Sequence, residues 1–138
     1  MLYEEHVVDA VARFLVANGW SEMSRVPFTR CHGDDLVMAK ASRRLLIEAK
    51  GATSSDPRSK RFDSQFNASQ VGTHVGQAVL RALRWVSLGD ANAAIALPDD
   101  RLHRLKVGEV ALAIRRAGIG VFWVDDDRSV VADCPWDI

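Results

Sequence analysis

The sequence predicts one α/β domain spanning residues 1–138, with a central mixed β-sheet of about five strands flanked by helices. A chain of 138 residues, 48% of them hydrophobic, can bury one core but is too short for two typical domains. Apolar residues recur at helical spacing in some segments and form short strand-like runs in others. These segments follow the order α-β-β-β-α-β-α-β, which is typical of a sheet layered with helices.

The first half of this order is a helix followed by three strands. Apolar side chains at helical spacing predict an amphipathic helix over residues 3–18, ending at Asn18 and Gly19. Three strand-like runs follow: SRVPFTR (24–30), DLVMAKA (35–41) and RLLIEAKG (44–51). Because short connections separate these runs, we expect an antiparallel meander.

The second half begins after a long connection. Residues 52–67 are polar, lack periodicity and contain a proline, which predicts a loop. A second helix follows and ends at Gly89 and Asp90. The remaining predicted elements are a strand at 92–98, a helix within 99–118, a strand at 119–124 and a weak strand at 129–133.

Charge and cysteine content restrict the function classes. The formal net charge is zero, so no global excess indicates a nucleic-acid binder. Residues 40–61 nevertheless contain seven basic and two acidic side chains, which is either a phosphate-facing surface or a solvated loop. Cys31 and Cys134 belong to no CxxC pair, which argues against a zinc ribbon. With no membrane-length apolar run and an acidic N-terminus, we expect a cytoplasmic protein without a membrane segment.

Three charged residues interrupt the apolar strands of the meander. Asp35 opens one strand, and Glu48 and Lys50 end the next. Because side chains alternate along a strand, Glu48 and Lys50 point to the same face. An aspartate and a Glu-x-Lys on neighbouring strands can converge and hold a hard divalent cation such as Mg²⁺ or Mn²⁺. The alternative is an ordinary ion pair between Glu48 and Lys50 in a metal-free protein.

These residues resemble a known family. GDDLVMA and LLIEAKG, in which Glu48 follows Asp35 by 13 positions, resemble the bipartite motif of the PD-(D/E)xK nuclease superfamily, whose members have the restriction-endonuclease-like fold. The element order is similar to the common core of that fold over residues 3–97. The resemblance implies that Asp35 and Glu48 bind the metal and that Lys50 is the catalytic lysine. Asp34 departs from the proline that the motif often carries.

The resemblance also implies supporting residues outside the motif. In related small nucleases similar to Holliday-junction resolvases, a glutamate from the first helix joins the site. Glu4 and Glu5 are the candidates; helical phase does not separate them, and we favour Glu5. Several branches of the superfamily use a glutamine or a basic residue of the second helix near the metal or a phosphate. The polar stripe of that helix here consists of Gln70, His74, Gln77 and Arg81.

The resemblance implies a Mg²⁺- or Mn²⁺-dependent phosphodiesterase, an endonuclease or exonuclease acting on DNA in repair, recombination or defence. Arg58, Lys60 and Arg61 in the long loop would contact the DNA backbone. The zero net charge favours recognition of DNA structure, or help from a partner subunit, over sequence-specific cleavage. A homodimer is expected by analogy with members that cut both strands. The alternative function is a non-catalytic nucleic-acid-binding or subunit module on the same fold.

Overall fold

The structure, a computed structural model, describes residues 1–25, 35–53, 58 and 64–138. The strands are β1 (Ser21–Arg25), β2 (Leu36–Lys40), β3 (Arg43–Ala49), β4 (Asn92–Pro98), β5 (Ile119–Val124) and β6 (Val130–Asp133). The helices are α1 (Glu4–Ala17), α2 (Ala68–Leu88), α3 (Arg101–Gly108) and α4 (Ala111–Arg116). No helix within the described ranges is long and apolar enough to cross a bilayer. The predicted α/β fold is confirmed, with six strands in place of about five.

The sheet is mixed because its centre is parallel and its margins are antiparallel. Its strands are ordered as in the chain, from β1 to β6. The strands β1, β2 and β3 form the expected antiparallel meander, whereas β3, β4 and β5 run parallel to one another. The last strand, β6, pairs antiparallel with β5. The carboxyl ends of β3 and β4 therefore meet at one edge, where the Lys50 N–H donates a hydrogen bond to the Ala96 carbonyl at 3.0 Å.

Successive side chains along each strand point to opposite faces of the sheet, so the core consists of two layers, one on each face. On β4, Ala94 and Ala96 pack in the layer that contains α1. Ala93, Ile95 and Leu97 pack in the opposite layer, beneath α2 and α3. A strand buried on both faces has an almost continuous apolar sequence. For this reason β4 could be identified from the sequence even though its residues do not alternate between apolar and polar.

The first strand lies earlier in the chain than the sequence predicted. We expected a strand at 24–30, but β1 spans Ser21–Arg25, and residues 26–34 lie outside the described part of the chain. All five residues of β1 are exposed at the edge of the sheet. Because no side chain of β1 is buried, the strand carries no apolar alternation that would mark its boundaries in the sequence.

The single helix predicted within 99–118 is two helices, separated between Gly108 and Ala111. The apolar Leu105 of α3 is 53% exposed, whereas the polar His103 is 1% exposed. The buried face of α3 is formed by His103 and Val107, four residues apart. Leu105 lies about 200° around the helix from His103 and therefore faces away from the core.

Candidate active site

The two predicted metal ligands are direct neighbours at the open end of the β2–β3 hairpin. Leu36 pairs with Ile47 across the hairpin, and this register places Asp35 beside Glu48. The Ala49 N–H donates a hydrogen bond to Asp35 Oδ2 at 2.8 Å. The charge of the Asp35 carboxyl group reaches Glu48, where it raises the pKa. The hairpin thus places the Asp35 and Glu48 side chains next to each other, and the hydrogen bond from the Ala49 N–H orients Asp35.

Lys50 lies on the same side of β3 as Glu48, as strand alternation predicted. Its Nζ atom is 3.3 Å from Glu48 Oε1. The two side chains are largely buried, with 18% of the Lys50 side chain and 11% of the Glu48 side chain exposed. Because the backbone of Lys50 is hydrogen-bonded to Ala96 of β4, the sheet fixes the position from which this ammonium reaches the carboxylates.

Arg81 of α2 brings a second cation to Glu48. Its Nε atom lies 3.6 Å from Glu48 Oε2, a separation too long for a hydrogen bond. That oxygen is buried and has no hydrogen-bond partner. Glu48 therefore has a positive charge beside each carboxyl oxygen. The sequence placed Arg81 on the polar stripe of the second helix but gave no signal of its contact with Glu48.

The first helix brings Glu4, rather than the favoured Glu5, within electrostatic range of this cluster. Partial burial, and then repulsion by Asp35 and Glu48, raises the pKa of Glu4 to about 7, although the residue remains exposed to solvent. Glu5 follows about 100° further around α1 and faces another direction. The register of α1 is set where its first turn lies against the end of β3, with the Ala52 N–H donating to the Leu2 carbonyl at 2.8 Å.

Burial dominates the electrostatics of the acidic pair. It raises the pKa of Asp35, against a lowering by the Ala49 hydrogen bond and by Lys50. Burial and then the Asp35 carboxylate raise the pKa of Glu48 to about 7. Two desolvated carboxyl groups close together cannot both ionise without cost, so this pair releases its protons at higher pH than ordinary carboxyl groups do.

The acidic pair fits a divalent cation. No three His, Cys, Asp or Glu side chains in the described part of the chain form a complete metal cage. Mg²⁺ does not require one, because it binds through one or two carboxylates and completes its coordination with waters and substrate phosphates. Asp35 and Glu48 supply those two carboxylates, and the buried, unpartnered Glu48 Oε2 is an oxygen that a cation would satisfy.

The predicted residues of the second helix have different surroundings. Gln70 caps α2, since its side-chain oxygen accepts from the Asn67 N–H at 2.9 Å while the Asn67 side chain accepts from the Gln70 N–H. His74 packs edge-on against Phe66, and burial followed by the charge of Lys50 lowers its pKa. Gln77 is exposed. Of these three predicted residues, His74 is therefore the one electrostatically coupled to the site.

The predicted DNA-contacting loop is only partly described. Arg58 is exposed, as expected for a residue that meets a DNA backbone. Lys60 and Arg61 lie outside the described residues, and their role stays a prediction.

Comparison with known proteins identifies the fold. No family model and no curated protein sequence matches the chain. The chain is similar to an XisH family protein from Nostoc punctiforme PCC 73102, with 11% identity and a TM-score of 0.52 over 91% of this chain and 96% of that one. It is equally similar to an fdxN element excision controlling factor protein from Anabaena variabilis, with 17% identity and a TM-score of 0.52 over 92% and 96% of the two chains. Structural likeness at such low identity shows the fold alone, which is restriction-endonuclease-like, as the sequence predicted.

A weaker match is SfsA of Pyrococcus furiosus, solved in complex with Ca²⁺. It has 13% identity and a TM-score of 0.43 over 95% of this chain and 59% of that one. A similarity of this size carries no argument about the present site.

Proposed function

We propose that the protein is a Mg²⁺- or Mn²⁺-dependent nuclease of the PD-(D/E)xK type that hydrolyses phosphodiester bonds of DNA. The observation that carries the proposal is the register of the hairpin, which places Asp35 beside the buried Glu48 carboxyl group, whose Oε2 atom has no hydrogen-bond partner. Burying two adjacent carboxyl groups is costly, and a sheet edge does not need them for folding. Such arrangements are concentrated at functional sites, where an incoming cation offsets the cost.

Each residue of the cluster has a task in this reaction. Asp35 and Glu48 hold the cation, which when bound activates water and stabilises the negative charge that develops on the phosphodiester. Lys50 presents its ammonium group beside Glu48 Oε1, from where it orients the attacking water or neutralises charge on a phosphate oxygen. Glu4, with a pKa of about 7, is suited to accept a proton from that water near neutral pH.

The test combines cation binding with cleavage. Wild-type protein and Glu48→Ala are titrated with Mg²⁺ and Mn²⁺ by calorimetry, and cleavage of duplex, junction and flap DNA is measured in the same buffers. We expect wild type to bind the cation and to cut, with cleavage abolished by EDTA, and Glu48→Ala to do neither. Lys50→Ala should still bind the cation but lose cleavage. Glu109→Ala removes an exposed carboxylate at the end of α3 and serves as the matched control.

Wild-type protein that binds neither cation, and leaves every DNA substrate intact, would contradict the proposal. Cation binding that Glu48→Ala and Glu109→Ala retain equally would place the metal elsewhere.

A second candidate is a DNA-binding module without turnover. It is favoured by the contacts of Glu48 with Lys50 and Arg81, which balance the charge of this carboxylate without any metal. Such a module would bind DNA with a steep salt dependence, and Glu48→Ala would leave that binding unchanged. A nuclease is distinguished by the dependence of its activity on both the cation and Glu48.

A further inference from the structure

The two edge strands of the sheet differ in their protection against pairing with a further strand. At one edge, β1 carries the charged residues Glu22 and Arg25, and its register with β2 shifts between Glu22 and Ser24. Charged side chains and irregular register are common means of preventing such pairing. At the other edge, β6 has the sequence VVAD and pairs with β5 in consecutive register. Within the described ranges, no strand pairs with the outer side of β6.

The backbone of β6 offers hydrogen-bonding groups at this open edge. The Asp125 N–H donates to the Ser129 carbonyl at 3.0 Å, so these two residues form a hydrogen-bonded pair of the β5–β6 hairpin. Hydrogen-bonded and non-hydrogen-bonded pairs alternate along an antiparallel ladder. Counted from Ser129, this alternation directs the N–H and C=O groups of Val130 and Ala132 away from β5. An extended polypeptide presents matching groups at the same two-residue spacing.

A cleft of about 420 Å³ lies beside β6 on the α1 face of the sheet. The side chains of Phe14 and Val130 form part of its apolar lining. The charged residues of the lining are Arg13 and Arg128 against Asp9, which leaves one positive charge in excess. Asp9 is already paired with Arg13, whose Nε atom is 2.9 Å from its Oδ2 atom. This cleft therefore favours an acidic side chain.

A second cleft, of about 200 Å³, lies on the opposite face between β6 and the helices α3 and α4. Its lining includes Leu112, Ile114 and Val121, with Asp133 of β6 at one side. Leu112 is 63% exposed, and Val131, which lies on the same face of β6 as Asp133, is 58% exposed. Because large apolar side chains remain exposed around it, this cleft favours an aliphatic side chain.

We propose that the outer edge of β6 is a docking site for an extended segment of a partner protein, which adds a seventh strand to the sheet and alternates acidic with aliphatic side chains. Successive side chains of an added strand point to opposite faces, so they enter the two clefts in turn. The acidic ones meet Arg13 and Arg128, and the aliphatic ones meet Leu112. This docking is independent of the proposed nuclease function, because it uses none of the residues of the acidic site.

The test uses the full chain, labelled with ¹⁵N, and a capped synthetic peptide in which leucine and glutamate alternate. We expect a Kd of about 1 mM or below, with shifts of the amide resonances of Val130 and Ala132 and slower hydrogen exchange at both. A peptide of alternating leucine and lysine should bind roughly fivefold more weakly, because its charges match those of the α1-side cleft. A fully N-methylated leucine–glutamate peptide should not bind, because it has no backbone N–H to donate.

Three variants separate the edge from the rest of the surface. Ala132→Pro removes an outward N–H of β6 without removing a bond to β5 and should weaken peptide binding at least about fivefold. Leu112→Gln changes an exposed side chain that folding does not need and should weaken binding roughly fivefold. Met23→Gln is the matched control, since Met23 is a 64% exposed apolar residue of the opposite edge strand. It should bind the peptide as wild type does.

The proposal is overturned if the leucine–glutamate peptide does not bind, or if its binding leaves the Val130 and Ala132 amides unchanged. Equal losses in Leu112→Gln and Met23→Gln would show that the peptide adsorbs to exposed apolar side chains at either edge. Sedimentation equilibrium of the chain alone identifies the other possible occupant. A dimer that Val131→Glu dissociates would make a second copy of this chain the occupant of the edge and would refute the partner protein.

Discussion

Two features of the site, burial and the neighbouring Asp35 carboxyl group, change the pKa of Glu48. Both raise the pKa of Glu48, and together they bring it to about 7. Lys50 and Arg81 act in the opposite direction but do not offset the burial. The cation-free site is therefore a place where the folded protein holds a proton that the unfolded chain would release, which gives the stability of the protein an unusual pH dependence.

We predict that the free energy of unfolding in EDTA contains a component from this site that falls as pH rises from 4.5 to about 7. The pKa of Glu48 is about 7 in the folded protein against its ordinary value of 4.5, so the folded state binds more protons throughout this interval. The contribution is complete below pH 4.5 and is lost as pH passes the folded pKa. Urea unfolding at pH 5, 6 and 7 measures it, and Glu48→Gln, which cannot titrate, should flatten the profile.

Glu4, whose pKa is also raised to about 7, contributes in the same interval, so Glu48→Gln should reduce the pH dependence without abolishing it. Asp99 contributes outside this interval. The pKa of Asp99 is held below its usual 3.8 by the Arg104 hydrogen bonds, so the stability that it adds is lost only in more acidic solution. Glu109→Gln, at an exposed position, should keep the wild-type pH profile. A profile that Glu48→Gln leaves unchanged would show that the proton taken up on folding is not at Glu48.

The residues of the motif could be predicted because their geometry is local. Alternation along a strand places Glu48 and Lys50 on one face, and a short hairpin brings Asp35 beside them. The choice between Glu4 and Glu5 and the contact of Arg81 depend on how helices rotate against the sheet. The apolar stripe of a helix is about 100° wide, so the sequence does not determine how the helix is rotated about its axis within that width.

At the scale of elements, the approach of α1 to β3 decides which glutamate reaches the site. Gly51 follows β3 and lies directly against the first turn of α1. A Cβ atom at this position would be 2.5 Å from the Glu4 nitrogen and 2.9 Å from the Tyr3 carbonyl carbon. Both are backbone atoms that no side-chain rotation can move away, so only glycine allows this close packing.

We predict that Gly51→Ala destabilises the protein by about 1–3 kcal/mol, because the first turn of α1 must move away from β3. The displacement should also weaken cation binding, since Glu4 moves with that turn. Urea unfolding and Mg²⁺ calorimetry measure the two effects.

Gly76→Ala is the matched control for this substitution. A Cβ atom at Gly76 would meet nothing within 4 Å, and the residue lies inside α2. Alanine there should stabilise the protein by about 0.5–1 kcal/mol through its higher helix propensity. A loss of stability common to both variants would show that the contact between α1 and β3 is not tight.

The elements themselves differed in how well they could be predicted. The boundaries of β4 and β5 were predicted correctly because apolar runs buried on both faces end abruptly in the sequence. The first strand, β1, was displaced because its exposed residues carry no apolar pattern. The separation of α3 from α4 was missed because the interrupting segment contains no proline and its apolar residues continue the helical spacing.

At the scale of the whole molecule, the site joins both layers of the fold. Glu4 comes from the helix on one face of the sheet, Arg81 from a helix on the other, and Asp35 and Glu48 from the sheet between them. A ligand that binds only this assembled cluster binds the native state and not the unfolded chain. Its effect on unfolding should therefore reach the whole domain in one transition.

We predict that Mg²⁺ raises the Tm of the wild-type protein as a single transition. At about a hundredfold excess over Kd, binding adds about 2.7 kcal/mol, which corresponds to a rise of roughly 5–15 °C in a domain of this size. Thermal unfolding followed by circular dichroism measures the shift, with KCl at equal ionic strength as the reference. Glu48→Ala should show no cation-dependent shift, whereas Asp90→Ala, which removes an exposed carboxylate after α2, should respond as wild type does. An equal shift in Glu48→Ala would mean that the cation stabilises the fold from another site.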